Sequence, residues 1–337
     1  MKFDVLIIGG GLAGLTCGIR LQKNGVKCAI VSTGQSALHF SSGSFDLLNE
    51  LPDGTKVDNP MAAVGKVSAN HPYAKLGSEF AYYVHEAKQQ FLDLGIEVAG
   101  DAEQNHLRIT PMGTLKPTWL TFSDFTPFSS ASDMAGKKIR VVNIAGFLDF
   151  NTKFVADSFE KYGAKCQISS INLPELERLR ISPTEMRSTN IARVLENEKT
   201  LEALIMELAG TVSGFDVVAL PAVFGLSSVA PVRRLKEALN IPVWLIPTMP
   251  PSVPGIRAQQ QLRRSFEELG GVYMLGDTVV KADFKGNKVQ SVYSVNHGDI
   301  SFVAENFVLA SGSYFSNGLI AQPDKVIEPV FGSDVDF

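Results

Sequence analysis

The chain has 337 residues, enough for two domains, and its 45% hydrophobic and 20% charged composition is that of an ordinary globular protein. A formal net charge of −4 offers no electrostatic footprint for nucleic acid or anionic lipid, and no apolar run is long enough to cross a bilayer. Cys17, Cys28 and Cys166 lie far apart and include no Cys-x-x-Cys pair, so no zinc or iron–sulfur ligand set is expected and the chain reads as reduced and cytosolic.

Val5 to Ile8 form an apolar run that breaks into Gly9-Gly10-Gly11-Leu12-Ala13-Gly14. Leu12, Leu15, Ile19 and Leu21 then give the next segment an apolar side at helical spacing. A strand, a Gly-x-Gly-x-x-Gly turn and a helix in that order form a phosphate site for a dinucleotide or flavin. Gly9 permits the tight turn, Gly11 lets the backbone approach a phosphate, and Gly14 lets the helix lie close to the strand. The first amides of the helix, those of Leu12 and Ala13, then face the anion. Met1 and Lys2 lead directly into this strand, which argues against a cleavable signal peptide, because its removal would destroy the motif.

The second strand, over residues 27–31, should end in an Asp or Glu that holds the adenosine ribose. Ser32 stands there, followed by Thr33 and Gly34. Two readings are open. The Ser32 hydroxyl makes a weaker bond to a ribose, or no adenosine ribose sits there; the second suits FMN at least as well as FAD or NAD. The next segment, residues 35–44, is rich in serine. Ser36, Ser41, Ser42 and Ser44, with Gly34 and Gly43, offer hydroxyls and close-approach amides to a phosphate or flavin edge. A plain flexible loop is the alternative, but a place at the carboxyl end of the second strand favours ligand contact. His39 in this loop is a candidate base, and equally a hydrogen-bonding residue.

Residues 51–75 read as turns and a linker, 78–94 as a helix, and 110–120 as an irregular segment. An α/β rhythm resumes with strands over 139–144, 165–171, 215–220 and 243–246. Helices over 151–162, 190–208 and 231–239 alternate with them. This section has no second glycine fingerprint, so it is not read as a separate NAD site. The proline-rich stretch 247–257 is an expected hinge. Ser252 is placed to cap a helix over 255–269, with Arg257 in its first turn. A cation there opposes the helix dipole, so an anionic substrate, a flavin phosphate or an ordinary carboxylate must favour it. Short strands over 271–277, 279–284, 289–295 and 300–304 form hairpins. A last buried strand closes in Ala310-Ser311-Gly312, which resembles the Ala-Thr-Gly segment that flavoproteins place beside the flavin.

The expected fold class is α/β: a Rossmann-like two-dinucleotide-binding flavoprotein fold with an inserted α/β domain. Residues 1–55 plus 255–337 would form the flavin-binding domain, and 56–254 the inserted substrate or partner domain. Several segments together resemble the B-subunit family of the bacterial anaerobic glycerol-3-phosphate dehydrogenases. They are Gly9 to Gly14, Leu38-His39-Phe40-Ser41-Ser42-Gly43-Ser44, residues 110–120, 190–193 and 245–257, the set Gln260-Leu262-Arg264, and residues 309–315.

That resemblance implies an FMN-binding protein that works with an FAD-containing catalytic A-subunit and a membrane-bound iron–sulfur C-subunit. The complex would oxidise sn-glycerol 3-phosphate to dihydroxyacetone phosphate and pass electrons to quinone, with fumarate or nitrate as terminal acceptor. The chain would be cytoplasmic and peripheral to the inner membrane through its partners. The family continues past Phe337 with a further glycine-rich strand–helix segment, so the resemblance also implies a shortened chain or an incomplete flavin site that holds FMN weakly. Two other classes compete with this reading: an autonomous FAD- or NAD(P)H-dependent oxidoreductase, and a flavin-free structural subunit.

Overall fold

A computed structural model describes residues 1–333 and Val335; Asp336 and Phe337, the last residues of the expected flavin-binding domain, lie outside the described residues. The chain divides into two compact units, Met1–His39 with Ala258–Phe337, and Phe40–Arg257. Residues 40–55 therefore go with the second unit, although the sequence placed them in the first. Strand pairing explains this, since Ser44 and Phe45 pair with Thr121 and Leu120, and the Asn49 amide donates to the Pro117 carbonyl at 2.9 Å.

In the first unit, β1 (Lys2–Ile8), α1 (Leu12–Lys23) and β2 (Cys28–Ser32) follow the expected strand–helix–strand order. The helix α2 (Val253–Glu268) enters this unit at Ala258 and leads to β3 (Val272–Leu275), β4 (Val279–Lys285), β5 (Lys288–Ser294) and β6 (Phe302–Leu309). These strands make one six-stranded sheet in the order β3-β2-β1-β6-β5-β4. The β3/β2, β2/β1 and β1/β6 pairs are parallel, while β6/β5 and β5/β4 are antiparallel.

Two strands expected over 300–304 and before Ala310 are one in the structure. β1 pairs with β6 from Lys2↔Val303 to Ile8↔Leu309, and this continuous register carries the backbone straight through Glu305 and Asn306. Burial on both faces explains why β1 and β2 read as unbroken apolar runs. On one face Phe3, Leu6 and Ile8 join Ala29, Val31, Val292 and Phe302. On α1, Leu15 and Ile19 are fully buried, and a Cβ on Gly18 would lie only 2.8 Å from the Phe266 ring of α2. Burial of each such aliphatic side chain stabilises the unit by about 1.5–3 kcal/mol.

The second unit is built on a four-stranded parallel sheet, ordered Val243–Ile246, Val217–Pro221, Lys138–Ile144 and Lys165–Ile171. The helix expected over 190–208 is two helices, Ser188–Leu195 and Glu198–Thr211. Asn197 divides them, because its side chain accepts from the Lys199 and Thr200 amides and starts a new helix. The segment expected to be irregular is mostly a hairpin of His106–Ile109 against Leu115–Thr118, followed by the strand Leu120–Phe122. Pro111 and Pro117 hid its polar–apolar alternation from a sequence reading.

Candidate functional site

The parallel strands of the first unit finish together, with Ile8 in register with Val31 on one side and Leu309 on the other. From β1 the chain proceeds through β2 to β3 in one direction, while β6 lies in the other. Strand order reverses at β1, and open α/β sheets take ligands at the carboxyl ends of such a reversal. Gly9 to Gly14 leave β1 there, and Ala310-Ser311-Gly312 leave β6 beside them.

The three motif glycines are glycine for different reasons. Gly9 has φ 112°, and a Cβ on it would collide with the Ala310 carbonyl. A Cβ on Gly14 would collide with the Gly9 carbonyl, so both positions are dictated by the chain's own backbone. Gly11 is not: a Cβ there would meet only the Ser36 Cβ, at an ordinary contact distance of 3.7 Å. Gly11 is also the N-cap of α1, which has no side-chain cap and no acid in its first turn. The amides of Leu12 and Ala13 thus open a helix N-terminus that no side chain caps among the described residues, with clear space over Gly11. This is a cradle for an anion.

Around the cradle, Ser32 is buried and its hydroxyl donates to the Gly34 carbonyl at 3.0 Å. Thr33 is exposed and its hydroxyl lies 3.1 Å from that of Thr278. Ser36 donates through its hydroxyl to Gln259 Oε1 at 2.6 Å, and its carbonyl accepts from the His39 amide. His39, in a short 3₁₀ turn, is half-buried; burial pushes its imidazole below the ordinary value, against a hydrogen bond with Gln259 that pulls it up. Past β6, the Ser311 carbonyl accepts from the Ser316 hydroxyl at 2.7 Å, and Gly312 follows it.

The other expected site residues belong to the second unit. The Ser41 hydroxyl accepts from the Gly43 amide at 3.0 Å, Ser42 is half-buried, and Gly43 leaves room for the Phe125 ring. Ser252 caps its helix as expected, with its hydroxyl accepting from the Gly255 amide at 3.2 Å. Arg257 is buried, paired with Asp124 and donating also to the Gly225 carbonyl. Of the partners the sequence left open, the carboxylate is the one in place. Burial pushes the Asp124 carboxyl up, opposed by Arg257 and by Lys236, whose ammonium donates to the Asp124 carbonyl at 2.8 Å.

Residues 4–337 match the family described as FAD binding domain. The chain is 45% identical over 340 residues to the B-subunit of anaerobic glycerol-3-phosphate dehydrogenase from Yersinia enterocolitica, covering 99% of this chain and 80% of that protein. It is 44% identical to the protein of the same name from Pectobacterium atrosepticum, covering 100% and 81%. The chain belongs to the B-subunit family of anaerobic glycerol-3-phosphate dehydrogenases. Among solved structures, 3-ketosteroid delta1-dehydrogenase from Sterolibacterium denitrificans matches with a TM-score of 0.38 and 12% identity, over 93% of this chain and 48% of that one. The chain spans about half the length of that enzyme.

As a B-subunit family member the chain is a flavoprotein oxidoreductase subunit of Rossmann-like fold, and the open cradle at Gly11 fits a flavin phosphate. Three residues that shape this edge escaped the sequence reading. Gln259, almost fully buried, fixes the Ser36–His39 loop. The Tyr273 hydroxyl contacts the Gly10 carbonyl, and Asp277, just past β3, donates its amide to the Ser32 carbonyl at 3.1 Å. A glutamine on the apolar face of a helix was the available signal for the first; for the other two, no spacing rule links residue 10 or 32 to 273 or 277.

Proposed function

We propose that this chain is the FMN-binding subunit of a quinone-linked anaerobic sn-glycerol-3-phosphate dehydrogenase. It works with an FAD-containing catalytic A-subunit and a membrane-bound iron–sulfur C-subunit, in a complex that oxidises sn-glycerol 3-phosphate to dihydroxyacetone phosphate. It lies in the cytoplasm at the inner membrane, held there by its partners; among the described residues no helix is long and apolar enough to cross a membrane. The observation that carries the cofactor is the combination of an open cradle over Gly11 with a serine at the end of β2.

In this reading the Gly11, Leu12 and Ala13 backbone holds the flavin phosphate at the positive end of α1. Ser32 gives its hydroxyl hydrogen to Gly34, and no carboxylate side chain stands at that position to take two ribose hydroxyls. When bound, the flavin supplies the redox chemistry that accepts electrons and passes them on. Burial favours the neutral form of the His39 imidazole, the form able to take a proton, and Gln259 hydrogen-bonds the ring. Arg257, committed to Asp124 and Gly225, holds the start of α2 in place and leaves ligand binding to other groups.

The purified chain, denatured and its released flavin separated by chromatography, is expected to yield FMN. Recovery of FAD instead overturns the mononucleotide reading, and recovery of no flavin from the chain or its complex overturns the flavin role.

A further inference from the structure

The hairpin of the second unit carries a charge arrangement that its own residues do not complete. Its register pairs His106 with Thr118 and Arg108 with Lys116, so these four share one face, while Leu107, Ile109, Leu115 and Pro117 take the other. Two cations directly opposite one another on a sheet repel. Asp46 is the acid set against them. Its Oδ2 accepts from the Lys116 ammonium at 2.9 Å and its Oδ1 from the Thr118 hydroxyl at 2.7 Å. Both carboxylate oxygens are therefore engaged, and Asp46 reaches Arg108 only through the longer-range field.

Arg108 is 7% exposed, and its Nε and Nη1 are buried with no hydrogen-bond partner among the described residues. A guanidinium that serves the fold has its fixed fork of donors satisfied, because each buried unpaired N–H carries the full cost of leaving water. Burial accordingly works against the charged form of Arg108. Two positive groups, one carboxylate and unfilled guanidinium donors describe a place kept for an oxyanion. Arginine beside lysine matches the charge and acceptor geometry of phosphate.

We propose that this face of the hairpin is a phosphomonoester-binding site anchored by Arg108, with Lys116 beside it. It shares no residue with the glycine cradle, so the chain has phosphate-binding groups in both units. Assigning sn-glycerol 3-phosphate as the occupant rests on the function proposed above; the site itself rests on Arg108. Inorganic phosphate is the alternative source of the same group.

The test is a calorimetric and thermal-melt titration of the full chain in phosphate-free buffer with inorganic phosphate, sn-glycerol 3-phosphate and, as a control, glycerol. Both phosphates are expected to bind and raise Tm, and glycerol to do neither. Arg108→Met is expected to weaken phosphate binding by at least about tenfold, without lowering Tm in phosphate-free buffer, since it removes an unsatisfied charge. Arg108→Lys keeps the charge without the fork and should fall between. A wild-type chain indifferent to both phosphates overturns the proposal, as does an Arg108→Met chain that melts earlier yet binds phosphate normally. If both phosphates bind equally and both depend on Arg108, the site stands and the glycerol 3-phosphate assignment falls.

Discussion

The Tyr273 hydroxyl donates to the Gly10 carbonyl at 3.1 Å, joining positions 263 residues apart. Its ring lies under the Arg263 guanidinium, 4.8 Å from the centroid. The phosphate loop is thus held from below by a strand that follows α2. Tyr273→Phe keeps the ring and removes one hydrogen bond, an expected loss of about 0.5–1.5 kcal/mol in urea unfolding. Flavin titration should show weaker binding in the same variant, because the loop loses the contact that fixes it. Unchanged affinity and unchanged stability together would remove Tyr273 from the site.

The three motif glycines should separate in a substitution series. Gly11→Ala is expected to fold with a wild-type melting curve, since its Cβ meets only Ser36, yet to be purified without flavin. Gly9→Ala carries a strained backbone, costing on the order of 1–3 kcal/mol, plus a collision with Ala310. Gly14→Ala drives its Cβ into the Gly9 carbonyl. Both should melt early whether or not flavin is present, which circular dichroism with and without added FMN will show.

In the second unit the Arg257–Asp124 pair is buried, and Asp124→Ala leaves the guanidinium charge with only the Gly225 carbonyl. Breaking one side of such a pair costs about 3–5 kcal/mol. Denaturant titration should therefore show a large loss in this variant. An Arg257→Lys variant that keeps full stability would show that the second contact, to Gly225, is dispensable.

Asp277 supplies an acid-sensitive contact in the first unit. Burial pushes its carboxyl up, but hydrogen bonds from Ser294, the Asn296 amide, His297 and the Thr278 amide outweigh this and hold it below its usual value of 3.8. With the folded value depressed, its contribution is complete above about pH 4 and is lost as pH falls through the folded value. Asp277→Asn should be less stable than wild type at pH 7 by about 1.5–3 kcal/mol. That gap should narrow steadily on acidification below about pH 4, as equilibrium unfolding at a series of pH values will show.

Elements with a strong period and a clear boundary were legible from sequence. β1, α1 and β2 show their burial in composition, and the helix read over 151–162 is Thr152–Lys161, with Asn151 as its cap and not its first residue. What escaped depends on partners distant in the chain. Asn197 broke a helix whose apolar spacing continued through it, and only its bonds to Lys199 and Thr200 reveal the break. Residues 40–55 followed their strand partners into the second unit. At the site, the glycine spacing located the cradle, but that Gly9 and Gly14 answer to backbone contacts while Gly11 answers to open space is visible only in three dimensions. Arg108 had no motif to mark it, because an unsatisfied donor is a property of surroundings.

The pairing of β1 with β6 also sets an order of events during synthesis. Lys2 finds its partner at Val303 and Ile8 at Leu309, so β1 must wait until β6 has been made before its sheet can close. At about 5–20 residues per second that delay is roughly 15–60 seconds. The unit Phe40–Arg257 is continuous and can condense while the nascent N-terminal segment is still unpaired. The glycine loop is translated long before β6 can complete its surroundings, so a stalled or shortened chain lacking β6 should emerge from the ribosome with its second unit folded and the apolar β1 exposed to chaperones.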